Sequence, residues 1–521
     1  MKKIVSVILT AVMLLTMVVP AFGASTADDC VNIYLLGYGS AIYNAEGEKI
    51  YDVDLDLVNG LKEILDQLLI DLAKGKLTGD YDAYCDKIYN LIAPAYAELK
   101  LDPNGEATDG SGRGKSPLEM TNHKNNLWTG GYYRFDYDWR LSSEYNGALL
   151  EEYIDIILAK TGASKVNLIG RCLGGNVISA YLENASEESL SKVDKTVMYI
   201  PSTKGVDFIG DLFTGEIELD DETLDKYVTY TLPYIDAMSS DEGSEFSQML
   251  KVCVNFFNQV KVLGISVDAI QDIYDDVKDN IMPRILRDTY ASFPSFWSMI
   301  EESRVETAIQ FIYNTPELQQ EYAGLIAKAR SFRENVQLNA DETMTQLVDN
   351  GMDMMVISKY NFAGVPLSRR GLANSDSTAS TKSTSFGATT ANIGEVLSEE
   401  YLKNVSDENA KYISPDKIVD SSTCLFPEKT WIIKNLTHAI FPDSVDILID
   451  TFLVSDDMNI DTYEEYPQYL DFDKETDTLT PVEGSAEERP SDTANKISIF
   501  ANFLKLILDL IKRLFSGSLV G

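Results

Sequence analysis

A cysteine flanked by glycines, between a strand-like run and a helical run, constrains the fold of this chain more than any other feature. Residues 165–169 are a short β-branched, apolar run, residues 170–174 read Gly-Arg-Cys-Leu-Gly, and a helical pattern continues over residues 176–182. Gly-x-Cys-x-Gly has the spacing of a nucleophile elbow, with cysteine where serine is usual. Glycine suits these positions because the strand and helix approach too closely for a Cβ. The sequence therefore predicts that Cys172 is a nucleophile at a helix N-terminus, with the N–H of Leu173 directed at a developing oxyanion.

Further short apolar runs recur along the chain and alternate with helical patterns. Residues 149–160, for example, place their apolar side chains on one helix face. Near-continuous apolar runs are typical of buried parallel strands, and their alternation with helices indicates an α/β sheet with right-handed crossovers. The predicted strands are residues 31–36, 132–137, 165–169, 195–200, 353–358 and 430–434.

Insertions and terminal segments divide the chain around this sheet. Residues 202–350 lack convincing strands and are acidic, which predicts a helical cap, and the Ser/Thr-rich stretch 368–390 is expected to be an ordered loop. The predicted units are a signal peptide at 1–23, a first part of the core at 24–201 with an insertion at 45–130, the cap at 202–350, a second part of the core at 351–462, an acidic linker at 463–494 and an amphipathic C-terminal helix at 495–521.

The charge and the N-terminus restrict partners and location. Lys and Arg number 44 against 82 Asp and Glu, a net charge of −38, so a nucleic-acid backbone would be repelled. Lys2 and Lys3, the apolar run 4–19 and the small residues Ala21 and Gly23 form the pattern of a secretory signal peptide, with cleavage expected after Gly23. We therefore expect a secreted or extracellular protein, with association to the cell surface as an option. An uncleaved anchor helix is the alternative, although the apolar run is short for a membrane span.

The five cysteines, Cys30, Cys85, Cys172, Cys253 and Cys424, lie far apart in the sequence. They contain no CxxC pair, so no zinc site is predicted. An odd number of cysteines in a secreted chain leaves one thiol free. If Cys172 is that thiol, the other four can form two disulfides in three ways. The alternative is five unpaired, mostly buried thiols.

The histidines limit the choice of a general base, because the chain has only two of them. His438 follows the predicted strand at 430–434, where a base would lie beside the elbow. His123 lies in an insertion and is expected to be structural. In folds with such an elbow, the loop after the first strand supplies the other oxyanion donor. That loop, residues 36–40, reads Leu-Gly-Tyr-Gly-Ser, and the N–H of Tyr38 is the best candidate in it.

Three stretches stand in a fixed order along the chain. Residues 135–141 read Phe-Asp-Tyr-Asp-Trp-Arg-Leu and precede a helix and the elbow. Residues 364–366 read Gly-Val-Pro, and residues 375–387 are rich in Ser and Thr. In this order they resemble the lecithin–cholesterol acyltransferase and lysosomal phospholipase branch of the α/β-hydrolases, and residues 375–387 look like the acid loop of that family. The resemblance covers the core and leaves the cap and both ends outside it.

The resemblance implies an α/β-hydrolase fold, which is a mostly parallel sheet with flanking helices, and here a large helical cap is inserted in the chain. It places the catalytic acid on Asp376 and the base on His438. It also places the oxyanion donors on Tyr38 and Leu173. These assignments come from the family and are expectations for this chain.

Two departures from the family pattern bear on the chemistry. The family elbow is Gly-His-Ser-x-Gly, whereas this chain has Arg171 and Cys172 at the two central positions. An extra segment, residues 389–429, follows the acid loop. It contains Asp416, 22 residues before His438, a spacing that simple lipases often show, and Asp416 is therefore a second candidate for the acid.

The replacement of serine by cysteine leaves two functions open. A thiolate paired with histidine is a competent nucleophile, and its thioester intermediate transfers an acyl group well to thiols and amines. We therefore predict a secreted hydrolase of acyl esters or thioesters, or an acyltransferase, that acts on lipid-like substrates through Cys172, His438 and Asp376. No metal or organic cofactor is implied. The alternative is a non-catalytic, hydrolase-like acyl-binding or cell-surface protein.

The C-terminal segment has a pattern of its own. Residues 497–515 are mostly apolar, with polar residues recurring at spacings of three and four along one helix face. The charged residues argue against a full membrane span. The segment has three basic residues and one acidic residue, so its net charge is positive, whereas that of the whole protein is negative. Contact with a membrane interface is one interpretation. Docking against the cap or a partner chain is the other.

Deleting residues 495–521 should leave the core folded and release the protein from membranes. Burial of each large apolar side chain of the segment stabilises by about 1.5–3 kcal/mol, so this face has to be covered by something. In a flotation assay with anionic vesicles, full-length protein should rise with the vesicles and truncated protein should stay at the bottom. If full-length protein also stays at the bottom and truncation lowers its melting temperature, the segment docks on its own protein.

Overall fold

A computed structural model describes residues 30–38, 41–50, 70–71, 74–75, 77–114, 116–121, 131–234 and 267–484. The predicted signal peptide, His123, Cys253 and the C-terminal segment 495–521 lie outside these residues.

The strands of the described chain are β1 Cys30–Leu35, β2 Tyr133–Phe135, β3 Lys165–Arg171, β4 Val193–Tyr199, β5 Asp353–Tyr360, β6 Phe362–Ala363, β7 Asn374–Ser375, β8 Thr389–Thr390, β9 Val419–Asp420, β10 Thr430–Lys434, β11 Tyr469–Asp473 and β12 Thr478–Pro481. All six strands predicted from the sequence are among them.

One large sheet of eight strands forms the centre of the described chain. Its order is β12-β11-β10-β5-β4-β3-β1-β2, and within it only β11 and β12 pair in antiparallel fashion. Two short antiparallel pairs, β6–β7 and β8–β9, lie outside this sheet.

Helices connect the strands. The α-helices are α1 Asp82–Ile92, α2 Ser143–Thr161, α3 Leu173–Asn184, α4 Glu187–Leu190, α5 Asp207–Thr214, α6 Asp221–Tyr230, α7 Val267–Asp288, α8 Pro294–Trp297, α9 Val305–Ile312, α10 Pro316–Glu321, α11 Ala323–Ser331, α12 Ala340–Asp349, α13 Thr381–Thr384, α14 Glu399–Asn404 and α15 Asp443–Val454. Between β4 and β5 the described residues form helices and turns and no strand. None of the helices described here has the length and apolar composition needed to cross a membrane.

Helices cover both faces of the sheet. Successive side chains of a strand point to opposite faces, so neighbouring residues of one strand pack against different helices. Met198 of β4 belongs to the same buried cluster as Val177 of α3. Its neighbour Val197 belongs to a second buried cluster, together with Leu448 of α15. A mostly parallel sheet between two helical layers, with a strand–turn–helix elbow at β3 and α3, is the predicted α/β-hydrolase fold.

Helix α2 supports the helix of the elbow. Its N-terminus is capped by the side chain of Ser142, and it ends at Gly162, whose φ of 76° suits a left-handed C-cap. The two helices pack closely, since a Cβ on Gly147 of α2 would lie 3.0 Å from the backbone nitrogen of Tyr181 in α3. This packing fixes the position of α3, which begins directly after the elbow.

The predicted acidic linker at 463–494 is wrong for part of its length. Tyr469–Asp473 and Thr478–Pro481 form the edge strands β11 and β12. Leu470 and Phe472 are 0% and 7% exposed, so the few apolar residues of this stretch are buried in the sheet. Low apolar content misled the prediction, because an edge hairpin buries one side chain in two and leaves the acidic ones in water.

The described thiols decide between the two cysteine alternatives. Cys85, Cys172 and Cys424 are free cysteines, and Cys85 and Cys424 are buried. Two disulfides among the four cysteines other than Cys172 are therefore not formed.

Candidate active site

The elbow places Cys172 in a strained backbone conformation at the carboxyl end of β3. Its φ is 49° and its ψ is −119°, a combination that non-glycine residues rarely adopt. The backbone N–H of Cys172 donates to the carbonyl of Tyr199, at the end of the neighbouring strand β4, over 3.0 Å. Helix α3 begins at the next residue, Leu173, so its dipole and first N–H groups favour negative charge close to the thiol.

The glycines around the elbow are required by contacts between backbone segments. A Cβ on Gly174 would lie 2.7 Å from the carbonyl oxygen of Leu35, and one on Gly170 would lie 2.9 Å from the carbonyl oxygen of Gly174. A Cβ on Gly37 would lie 3.0 Å from the Cβ of Cys172. The loop after β1, the elbow and α3 therefore meet where side chains have no room, as the sequence predicted.

The structure brings His438 and Asp376 together through two contacts. Nδ1 of His438 lies 2.6 Å from Oδ2 of Asp376, and the backbone N–H of His438 donates to the carbonyl of Asp376 over 2.6 Å. The other carboxylate oxygen of Asp376 accepts from the N–H groups of Thr378 and Ala379. An ionised carboxylate only accepts, so Nδ1 carries a proton. Nε2 is then the ring nitrogen that remains for another partner, and Cys172 is close enough for its charge and hydrogen bond to raise the pKa of His438.

Neighbouring charges shift the pKa values of His438 and Asp376. Burial alone would lower the pKa of His438, but the negative charges of Asp376 and Cys172 raise it to about 10. Burial would raise the pKa of Asp376, yet the charge and hydrogen bond of His438 bring it below its usual value. At neutral pH the site therefore holds an imidazolium and a carboxylate.

Asp416, the second candidate for the acid, is engaged elsewhere. Its carboxylate is 2% exposed and lies 3.0 Å from Nζ of Lys434. The hydroxyls of Tyr360 and Ser414 donate to it over 2.9 and 2.7 Å. Asp416 therefore belongs to a buried ion pair with Lys434 of β10. The carboxylate that contacts His438 is that of Asp376.

The two residues predicted as oxyanion donors each neighbour a residue of the elbow region. Leu173 is the first residue of α3, and Tyr38 follows Gly37, whose Cβ position is 3.7 Å from Sγ of Cys172. The loop that carries Tyr38 is held by the hydroxyl of Tyr137, which donates to the carbonyl of Leu36 over 2.6 Å.

The stretch 135–141 organises the wall beside this loop. Arg140 is 0% exposed and pairs with Asp138 over 2.8 Å, and it also donates to the carbonyl of Leu99 and the hydroxyl of Ser111. The motif therefore ties the insertion to the core through a buried arginine. Its tryptophan, Trp139, contacts the ring of Tyr38 with 4.6 Å between centroids.

The sequence did not point to two cationic side chains close to Cys172, His438 and Asp376. Lys359 in β5 is 0% exposed, and the guanidinium carbon of Arg171 lies 3.4 Å from the ring centroid of Phe441, three residues after His438. A lysine at the end of a run that is apolar on both faces was the available signal, because such a run predicts burial and a buried ammonium needs partners.

Within the described residues, no three His, Cys, Asp or Glu side chains come together in a way that could hold a metal ion.

Comparisons with known proteins give little further information. No protein-family model matches the chain, and no curated protein matches it. Among solved structures the chain is similar to Kex1(delta)p, a prohormone-processing carboxypeptidase from Saccharomyces cerevisiae, with 10% sequence identity over 72% of this chain and 71% of that chain. The TM-score is 0.20, too low to support an argument. The assignment of the fold therefore depends on the sheet order and the elbow of this chain.

Replacing the two aspartates should separate their roles. Asp376→Asn should slow turnover of an acyl ester on the order of 10⁴-fold, because an amide would favour the wrong tautomer of His438. Asp416→Asn should leave turnover near that of the wild type but lower the free energy of unfolding by about 3–5 kcal/mol, because Lys434 would stay buried without its carboxylate. Steady-state kinetics and urea unfolding measure the two effects. A severe loss of turnover in the Asp416 variant alone would reverse the assignment.

Proposed function

We propose that this chain is a secreted cysteine hydrolase of acyl esters or thioesters, or an acyltransferase, with Cys172, His438 and Asp376 as its catalytic triad. The observation that carries the proposal is the contact between Nδ1 of His438 and Asp376, together with the charge and hydrogen bond of Cys172, which help to raise the pKa of His438. A nucleophile, a base and an orienting carboxylate within hydrogen-bond reach are the arrangement that covalent acyl transfer requires.

In the proposed first step, the Cys172 sulfur attacks the acyl carbonyl carbon. The carbonyl π electrons move to oxygen, and the N–H groups of Tyr38 and Leu173 hold the resulting oxyanion. When the carbonyl re-forms, the bond to the leaving group breaks, and the imidazolium of His438 gives its Nε2 proton to that group. The acyl group is then held on Cys172 as a thioester, and His438 is neutral.

In the second step, an acceptor resolves the thioester. Water, an alcohol, a thiol or an amine gives a proton to Nε2 of His438 and attacks the acyl carbon. The carbon–sulfur bond breaks, and Cys172 leaves as a thiolate beside the imidazolium. Asp376 keeps its charge throughout and stabilises the imidazolium in both resting and final states.

The surroundings of the oxyanion loop support a lipid-like acyl group. The ring of Tyr38 lies against Trp139 and, at 5.5 Å between centroids, against Phe296 of the cap. Phe296 stacks in turn on Tyr290 at 4.8 Å. This aromatic cluster joins the cap to the loop beside Cys172, and the exposed ring of Tyr38 at its edge offers an acyl chain an apolar surface. The resemblance to the lecithin–cholesterol acyltransferase and lysosomal phospholipase branch favours the same substrate class.

Replacing Cys172 tests the proposal. Cys172→Ala should lower hydrolysis of a p-nitrophenyl ester by on the order of 10⁶-fold, because triad members act as a unit, whereas Cys172→Ser keeps a weaker nucleophile. Cys424→Ala is the matched control, because burial raises the pKa of Cys424 to about 12 and makes it an unreactive thiol. Full activity of the Cys172→Ala variant would exclude the mechanism. Acyl binding by a wild-type protein without any turnover would instead favour the non-catalytic alternative.

A further inference from the structure

Lys359 is a charged side chain inside the sheet to which the steps above give no task. It is the next-to-last residue of β5 and pairs with Ile433 of β10. Its side chain is 0% exposed. An ammonium group removed from water is strongly unfavourable unless hydrogen bonds or opposite charges compensate it. The contacts that compensate Lys359 therefore indicate what it does.

Both hydrogen bonds of the Lys359 side chain go to the loop that carries His438. Nζ donates to the carbonyl of Thr437 over 3.0 Å and to the carbonyl of Ile440 over 2.8 Å. The first carbonyl precedes His438 by one residue, and the second follows it by two. One ammonium group therefore holds the backbone on both sides of the proposed base.

The backbone of Lys359 holds the acid loop at the same time. Its carbonyl accepts a hydrogen bond from the hydroxyl of Thr381 over 2.8 Å. Thr381 follows Asp376 by five residues and begins the short helix α13. Acid loop and histidine loop are thus fastened to one residue of one central strand, which is among the most rigid elements of such a fold.

Aromatic rings and a second cation complete the surroundings of the ammonium. Nζ lies 4.9 Å from the ring centroid of Tyr199 in β4 and 4.5 Å from that of Phe441, which belongs to the histidine loop. The guanidinium of Arg171, from the elbow, lies against the same two rings. Phe441 is therefore held by one cation from the elbow and one from β5, and cation–π attraction joins the histidine loop to both.

The charge of Lys359 changes in the neutral pH range. Burial is the main cause that lowers its pKa to about 7. The negative charges of Asp376 and Cys172 oppose this shift, and the positive charge of Arg171 adds to it. Below that pH the two bonds to the loop are charge-assisted, and above it they are the weaker bonds of a neutral amine.

We propose that Lys359 is a positioning residue, whose ammonium clamps the backbone at Thr437 and Ile440 and so fixes the imidazole of His438 between Asp376 and Cys172. The inference rests on the proposed function, because a clamp on His438 matters only if His438 serves Cys172. As pH rises and Lys359 loses its proton, the clamp weakens and His438 assists Cys172 less.

Alkylation of Cys172 by iodoacetamide tests the clamp without an acyl substrate. Lys359→Met keeps the length of the side chain and removes its charge and donors, and Lys359→Gln restores one neutral donor. A matched control is Lys195→Met. Lys195 is 8% exposed, donates to the carbonyls of Phe452 and Ser455, and lies near the opposite end of the sheet, beside Asp353.

The alkylation rate at neutral pH should fall by on the order of 10- to 100-fold in Lys359→Met, because a misplaced base loses most of its effect. The pH profile of the wild type should show an inflection near pH 7, and that of the variant should lack it. Lys359→Gln should recover part of the rate and none of the inflection. Lys195→Met should keep both. Wild-type rates and an unchanged profile in Lys359→Met would overturn the proposal.

The variant His438→Gln separates this proposal from the proposed function. If His438→Gln slows alkylation and Lys359→Met does not, the triad stands and the clamp is wrong. If His438→Gln leaves the alkylation rate unchanged, His438 does not activate Cys172 and the proposed function itself fails.

The wild-type protein decides the question if neither Lys359 variant folds. The chain has only two histidines, so the ring signal of His438 in ¹³C-labelled protein can be assigned with a His123→Gln variant. That signal should shift in a step near pH 7, when Lys359 loses its proton, and again near about 10, when His438 itself does. A titration without the step near pH 7 would overturn the proposal.

Discussion

The hydrogen bond between Nδ1 of His438 and Oδ2 of Asp376 is the contact on which the rest of the site depends. Asp376 is fully buried, and a buried carboxylate in a chain of net charge −38 has to be compensated locally. One imidazolium and two backbone N–H groups provide that compensation, and the bond to Nδ1 also fixes the orientation of the ring. Weakening this bond would leave an uncompensated charge, a free ring and an unassisted thiol together.

The local charge also accounts for a cysteine at the elbow. Three cationic side chains, Arg171, Lys359 and His438, surround the region of the thiol, although the protein as a whole is strongly acidic. Cationic neighbours and a helix N-terminus convert a thiol to its nucleophilic thiolate, whereas an alcohol ionises at far too high a pH to gain in this way. This environment supports the proposed cysteine nucleophile more than it would support a serine.

Much of the sheet could be predicted from the sequence, because buried parallel strands read as apolar runs and the glycines around Cys172 mark a steric requirement. The pairing of Asp376 with His438 agrees with the acid that the family resemblance implied. Three features could not be read in this way. The strands within residues 463–494 have too few apolar residues to stand out from a linker. The ion pair of Asp416 depends on a long-range contact that sequence spacing does not encode. The role of Lys359 depends on two backbone carbonyls almost 80 residues away, and side-chain patterns carry no information about them.

The most direct test of the central claim is mass spectrometry of the protein quenched in acid during turnover of p-nitrophenyl acetate. If Cys172 is the nucleophile, one acetyl group per chain will be found on the peptide that contains Cys172, and neutral hydroxylamine will remove it, as it removes a thioester. The same adduct should accumulate when His438 is replaced by glutamine, because water then lacks a base for the second step. Release of p-nitrophenol with the acetyl group on another side chain, or with Cys172 never modified, would exclude Cys172 as the nucleophile.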